Sequence, residues 1–309
     1  MKQISTYITE KLKLNKDSGD KYNYYPEDKD ELRALIEELL EERGPNADLN
    51  DIDVSEITDM SYMFAFLDLD IRNIDISEWD VSNVETMNSM FIHCKNFNSD
   101  LSKWDVSNVK IMHSMFQDCE NFNSDLSKWD VSNVTYMDGL FYSCKKFNSD
   151  LSSWNVSNVR DMSSLFNICD EFNSDLSNWD VSAVTSMAFM FYGCKKFNCD
   201  LSKWDVSNVN NMVGMFRYCK ELNCDLSEWD TKSVKTMESM FRECENFNSD
   251  LSKWDVSNVI RMSYMFEKCM NFNSDLSKWN VEKSNNHRKD MFKGCKSLTI
   301  KPKWYEGKI

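Results

Sequence analysis

An α/β repeat solenoid, with one short parallel strand and one short helix in each 25-residue coil and a helical N-terminal cap, is the architecture that these 309 residues predict. Three observations carry that reading. All ten tryptophans lie 25 residues apart, from Trp79 to Trp304. The stretch FNSDLSKWDVSNV begins at Phe97, begins again at Phe122, and returns at Phe147 with one Lys→Ser and one Asp→Asn change. Within each unit the apolar residues follow two periods, one suited to a strand and one to a helix.

Taken in order, residues 1–25 form a polar N-terminal segment with no assigned element. Residues 26–51 predict a capping helix and its linker. Asp28 can cap the helix, with Glu31 three residues on. Leu32, Leu35, Ile36, Leu39 and Leu40 make one apolar stripe, and Gly44 with Pro45 ends it. Such a helix beside a degenerate first repeat reads as a lid over the open end of a core. Residues 52–300 form the solenoid of about ten coils. Its first unit, Ile52 to Glu78, keeps Val54, Ile57, Met60, Met63 and Phe64 but has no Trp and is two residues longer. The unit at Trp279 slips by one residue near Asn285, and residues 301–309 form a C-terminal cap. Degenerate terminal units are what the caps of a repeat array require.

Slots within a coil are counted from its Trp. The inward slots are Leu at −3, Trp, Val at +2 and +5, Met at +8, Met or Leu at +11, Phe at +12, Cys at +15 and Phe at +18. Met87, Met90, Phe91 and Cys94 repeat as i, i+3, i+4, i+7, which predicts a short helix over 84–94. LSKWDVSNV alternates at its centre, which predicts a strand around the Trp. Slot −5 holds Ser, but also Ile74, Cys199 and Cys224; these share only a tolerance of burial, so the slot faces inward. Asp at −4 then faces outward. Asn at −6, from Asn73 to Asn273, predicts an amide ladder that satisfies turn backbone.

The net charge is −15. Asp fills slot −4 nine times and slot +1 seven times, enough to account for the whole excess. The acidity therefore belongs to the repeat, and it disfavours nucleic acid as a partner. The start, Met1 to Lys16, lacks the apolar run of a signal peptide, and no stretch approaches a membrane span. The expectation is an intracellular chain with no membrane insertion. Eleven cysteines in that setting predict reduced thiols.

The cysteines at slot +15 read as small buried hydrophobes. Cys194, Cys199, Cys219 and Cys224 bring two thiols from each of two adjacent coils, the ligand set that a structural zinc would need; packing is the plainer reading. No Ser–His–acid arrangement and no phosphate-cradling Gly loop is present, so no catalytic residues and no cofactor are expected. The repeats disagree at slots +6, +7, +9, +10, +13, +14, +16 and +17. Tyr142, Tyr192, Arg217, Tyr218 and Arg242 gather there, and Tyr and Arg are favoured at binding hot spots. They are the candidate partner-binding residues.

The pattern M-x-x-M-F-x-x-C-x-x-F-N-x-D-L-S-x-W-D-V-S-N-V, from Met87 to Val109 and in its copies, closely resembles the BspA-like leucine-rich-repeat family. That family is known in mycoplasma surface lipoproteins and in expanded gene sets of giant amoeba viruses. The resemblance covers about residues 46–304. It implies a leucine-rich-repeat-like solenoid, a role in surface or protein–protein interaction, and no catalytic residues. To the intracellular expectation the resemblance adds a virion-associated one. The combined expectation is a non-enzymatic repeat protein whose partner is another protein. The alternative is a structural protein that assembles in a particle or surface layer.

Overall fold

The computed structural model describes residues 21–67 and 71–307. Most of the polar segment 1–25 lies outside the described residues. Its described end is part of the fold: Tyr24 is buried and bridges in parallel to Ile52.

Helix α1 spans Lys29–Arg43 and is held at both ends as its sequence requires. The Asp28 carboxylate accepts the Glu31 N–H at 2.9 Å, and Glu31 accepts the Glu27 N–H at 3.0 Å. Gly44 closes the other end at φ 84°, its N–H donating to Leu40 O. The apolar stripe Leu32, Leu35, Ile36, Leu39 and Leu40 is buried against the first coils. Arg33 flanks that stripe. Its guanidinium donates to the carbonyls of Tyr62, Met63 and Ala65, the open edge of the first coil.

The coils stack in parallel, but they contain neither of the two elements that the spacing predicts. No helix covers 84–94: among the described residues the only helices are α1 and a 3₁₀ turn at Glu282–Ser284. Nor is the Trp segment a strand. The parallel pairing falls at slot +7 as a column of single bridges, Asp59–Thr86–Ile111–Tyr136 and onward to Arg261.

What replaces the helix is a ladder of tight turns. In the coil headed by Trp104, the N–H groups of Met112, Ser114, Phe116 and Asp118 donate to the next coil's carbonyls at Tyr136, Asp138, Leu140 and Tyr142. The intervening N–H groups of Met115, Gln117 and Cys119 close local turns onto Met112, Ser114 and Phe116. Alternate donors can point outward only because slots +10 and +14 adopt positive φ, as at Ser114 (50°) and Asp118 (59°). A helix would spend all these N–H groups internally and leave neighbouring coils joined by side chains alone. The left-handed residues recur every four positions. Over two turns that repeat places the same residues inward as a 3.6-residue helix, which is why the sequence pattern imitates one.

The inward slots are those expected from sequence. Leu, Trp, Val, Met, Phe and Cys of successive coils form one continuous core. Trp154 and Trp179 stack at 6.4 Å with planes 1° apart, and Phe166 lies 3.9 Å from Phe172. Each Trp also carries a polar handle: Trp179 Nε1 donates to Leu151 O of the coil before it at 3.0 Å. Polar ladders satisfy the turn backbone. Asn148 N–H donates to Asn123 Oδ1, and Leu126 N–H donates to Ser149 Oγ. Slot −5 is inward, with Ser99 and Ser124 buried, and the Asp beside it is exposed. At the slip, Ser284 takes the Val slot and binds Val281 O. The cross-coil bonds then lengthen by one residue, as in Tyr264 N–H to Lys289 O.

Candidate interaction surface

The variable slots do not sit on the outer face of a helix, as the spacing predicts. They line the outside of the turn ladder, where slots +13 and +14 of successive coils stand over one another. Most of their charges are matched between neighbouring coils. His93 pairs with Asp118, Lys145 with Glu120, Lys195 with Asp170, Lys196 with Glu171, and Lys268 with Glu243. Exposed pairs of this kind are each worth only about 0–1 kcal/mol, so their role is one of register rather than stability.

Of the five candidate residues, the structure brings three into direct contact. The Arg217 guanidinium lies 4.7 Å from the Tyr218 ring and 5.5 Å from the Tyr192 ring, and its Nη2 donates to Tyr218 Oη at 2.8 Å. Tyr192 and Tyr218 meet edge to face at 5.3 Å. Burial pushes the Tyr192 hydroxyl above its ordinary pKa, and Arg217 acts the other way. Arg242 stands in the next coil of the same column. It lies over Tyr264 at 5.4 Å, and its Nε is 2.8 Å from Glu267 Oε2, close but poorly aligned for a hydrogen bond. Tyr142 is two coils before Tyr192, with Asn167 between them.

Sequence reasoning missed Phe189. Its ring meets Tyr192 at 6.0 Å and occupies the space above Gly214, where a Cβ would come within 2.6 Å of Cδ1 and Cε1. The signal was present as a Phe and a Gly in the same slot of adjacent coils. The coils headed by Trp179, Trp204 and Trp229 also depart from the repeat in otherwise constant slots. Ala183 and Ser233 replace Asn, Leu222 replaces Phe, Thr231 replaces Val, and Cys199 and Cys224 replace Ser.

The four thiols considered for zinc are not brought together. Among the described residues no group of three or more His, Cys, Asp or Glu is placed to hold a metal ion. Cys194 and Cys219 donate to Phe166 O and Phe191 O, whereas Cys199 sits in the Ser column and accepts the Leu176 N–H. All eleven cysteines are free and buried. Burial raises their pKa values, to about 11 for Cys199 and about 12 for Cys94 and Cys224. No helix among the described residues is long and apolar enough to cross a membrane.

Among solved structures, the chain resembles one titled as a crystal structure of the TLR13–ssRNA13 complex at 12% identity and a TM-score of 0.19. The likeness covers 70% of this chain and 45% of that one. No curated protein matches the chain significantly. A family model matches it over residues 35–135, 119–223 and 199–305, which together span the repeat array. The chain belongs to the repeat family described as Mycoplasma protein of unknown function, DUF285.

Proposed function

We propose that this chain is a non-enzymatic recognition protein that binds another protein through the outside of its turn ladder, centred on Tyr192, Arg217 and Tyr218. One observation carries the reading. The repeat departs from its own rules in three consecutive coils, two of which hold an Arg packed against two Tyr rings. Drift on a solvated surface would not be expected to alter core and ladder slots such as Leu222, Thr231 and Ala183 in those same coils. Tyr and Arg with restricted side chains are favoured at binding hot spots, because little rotamer entropy remains to be lost. The finer assignment to BspA-like leucine-rich repeats rests on the motif from Met87 to Val109 and belongs to this proposal. So does a reducing, intracellular or virion-associated setting, which suits eleven free thiols.

The test is a paired capture from the cells that make the protein, using the full chain and a Tyr192→Ala/Arg217→Ala/Tyr218→Ala variant. Mass spectrometry should find a protein recovered by the first and depleted with the second. Recovery unchanged by the triple variant would remove this face from the reading. No saturable partner for either would remove the recognition role itself.

A further inference from the structure

Resting on that reading, we infer that the Phe189–Tyr192–Arg217–Tyr218 patch receives a single Asp or Glu carboxylate from a partner protein segment. Arg217 supplies the cation, and the Phe189 ring supplies a seat for the apolar residue beside that carboxylate.

Charge matching singles out Arg217. In slots +13 and +14, His93 pairs with Asp118, Arg242 with Glu267, Lys268 with Glu243, and Lys293 with Asp290. Among the described residues, no carboxylate pairs with Arg217. Its column neighbours 25 residues either way are Tyr192 and another cation, Arg242. Arg217 Nε is buried with no hydrogen-bond partner among the described residues. A half-buried guanidinium lacking a counter-ion is costly, and that cost falls when an anion arrives.

The same geometry selects the kind of anion. Two rings in mutual contact pack against the guanidinium and Tyr218 Oη accepts one of its N–H groups, so its orientation is restricted before binding. A planar fork held in this way suits a carboxylate. Among the described residues of slots +13 and +14 only Arg217 is a cation without a paired carboxylate, because Arg242 is engaged by Glu267. That matches a single negative charge. A polyanion would also meet the exposed Asp columns and a net charge of −15. The seat for the neighbouring residue exists because Gly214 leaves the Phe189 ring room to lie flat. Phe189 and Tyr192 then present partly exposed aromatic surface next to the cation.

The probe is a random peptide display library panned against the full chain, followed by synthesis of the enriched peptides. We expect those peptides to carry Asp or Glu next to an aromatic or aliphatic residue. Replacing that acid by its amide, and Arg217→Gln in the protein, should each weaken binding at least about tenfold. The two changes together should cost little more than either alone, because they remove the same contact. Lys220→Gln, which removes a cation already paired with Glu245, should leave affinity within about twofold. Enriched peptides without an acid, or binding unchanged by Arg217→Gln, would overturn the inference. If such peptides still lose affinity with Tyr192→Ala and Tyr218→Ala, the recognition face stands and only the carboxylate falls. No enrichment over the triple-alanine variant also overturns the inference, whereas the capture experiment judges the recognition role separately.

Discussion

At Gly214 the backbone stands at φ 58°, and an added Cβ would lie 2.6 Å from two ring carbons of Phe189. Carbon contacts ordinarily fall near ~3.5–4.0 Å, so Gly214→Ala forces the ring back by about 1 Å. Overpacking of that size costs about 1–3 kcal/mol. Holding a non-Gly residue in the left-handed region adds about 1–2 kcal/mol. A stiffer unfolded chain returns about 0.4–1 kcal/mol. The net expectation is a local loss of about 2–4 kcal/mol. In a Phe189→Ala background the steric part vanishes and about 1 kcal/mol remains. The coupling between the two sites should therefore be about 1–3 kcal/mol. The Gly214 N–H donates to Glu238 O at 2.9 Å, and its neighbours at Phe216 and Tyr218 donate to Met240 O and Arg242 O. Native-state hydrogen exchange at these three amides reads local opening without assuming that the whole array unfolds in one step. Equal costs of Gly214→Ala in the two backgrounds would refute the seating of Phe189 over Gly214.

Three further outcomes follow from the ladders. Trp179→Ala removes a buried ring that stacks on Trp154 and leaves Leu151 O without its indole donor, so it should cost about 3–5 kcal/mol and split unfolding into two steps on a melt; a wild-type melt would refute the core placement. Thiol titration should find the cysteines unreactive in the native protein and all eleven reactive in denaturant without reductant, since burial raises their pKa values; a denatured count near zero would refute reduced thiols. Backbone N–H groups of Ser127 and Ser227 hold Asp125 and Asp225 below the ordinary carboxylate pKa. A depressed pKa contributes stability that is present above the unfolded value and lost as pH falls through the folded one. The melting temperature should therefore hold down to about pH 5 and fall below about pH 4; a flat profile to lower pH would refute the role of these turns.

Much of the array was legible because each inward slot is repeated many times. Leu at −3, Trp, the two Val slots, Cys and the Phe slots were assigned by chemistry alone, and the same residues form the core. Helix α1 was legible from Asp28 and Glu31, whose side chains act at its start, and from Gly44, whose freedom at positive φ ends it. The turn ladder was not, for two physical reasons. A four-residue turn repeat and a 3.6-residue helix cannot be told apart over Met87 to Cys94. Positive φ usually announces itself through Gly, yet these slots hold residues such as Ser89, Asp118, Ile168 and Phe189. The cross-coil hydrogen bonds impose that conformation on residues that would not choose it alone. The candidate surface was legible as a set of disagreeing slots, whereas the clustering of Arg217 between Tyr192 and Tyr218 required the stacking of slot +13 beside slot +14. Phe189 was hidden because its meaning lies in Gly214, a residue 25 positions away.

The turn ladder also explains why α1 carries Arg33 beside its apolar stripe. In the turn ladder the N–H groups at slots +8, +10, +12 and +14 point toward the following coil, so the carbonyls at +7, +9, +11 and +13 that accept them point toward the preceding one. The turn ladder, though not the slot +6 bonds that run the other way, thus presents carbonyls at its N-terminal face. An apolar stripe alone could cover the first coil's side chains, but it would leave the part-buried carbonyls of Met63 and Ala65 without the Arg33 donor, at up to about 1–3 kcal/mol each. Arg33 answers this with a guanidinium that reaches Tyr62, Met63 and Ala65 together, and Lys29 reaches Asp59 in the same coil at 3.0 Å. A cation is also the charge that a carbonyl edge prefers, for the same reason that helix C-termini favour Lys and Arg. A coil's carbonyl edge would otherwise be a template for the N–H edge of another array. By occupying it, α1 covers that edge of the first coil, an arrangement that supports the proposed use of the side of the ladder for binding.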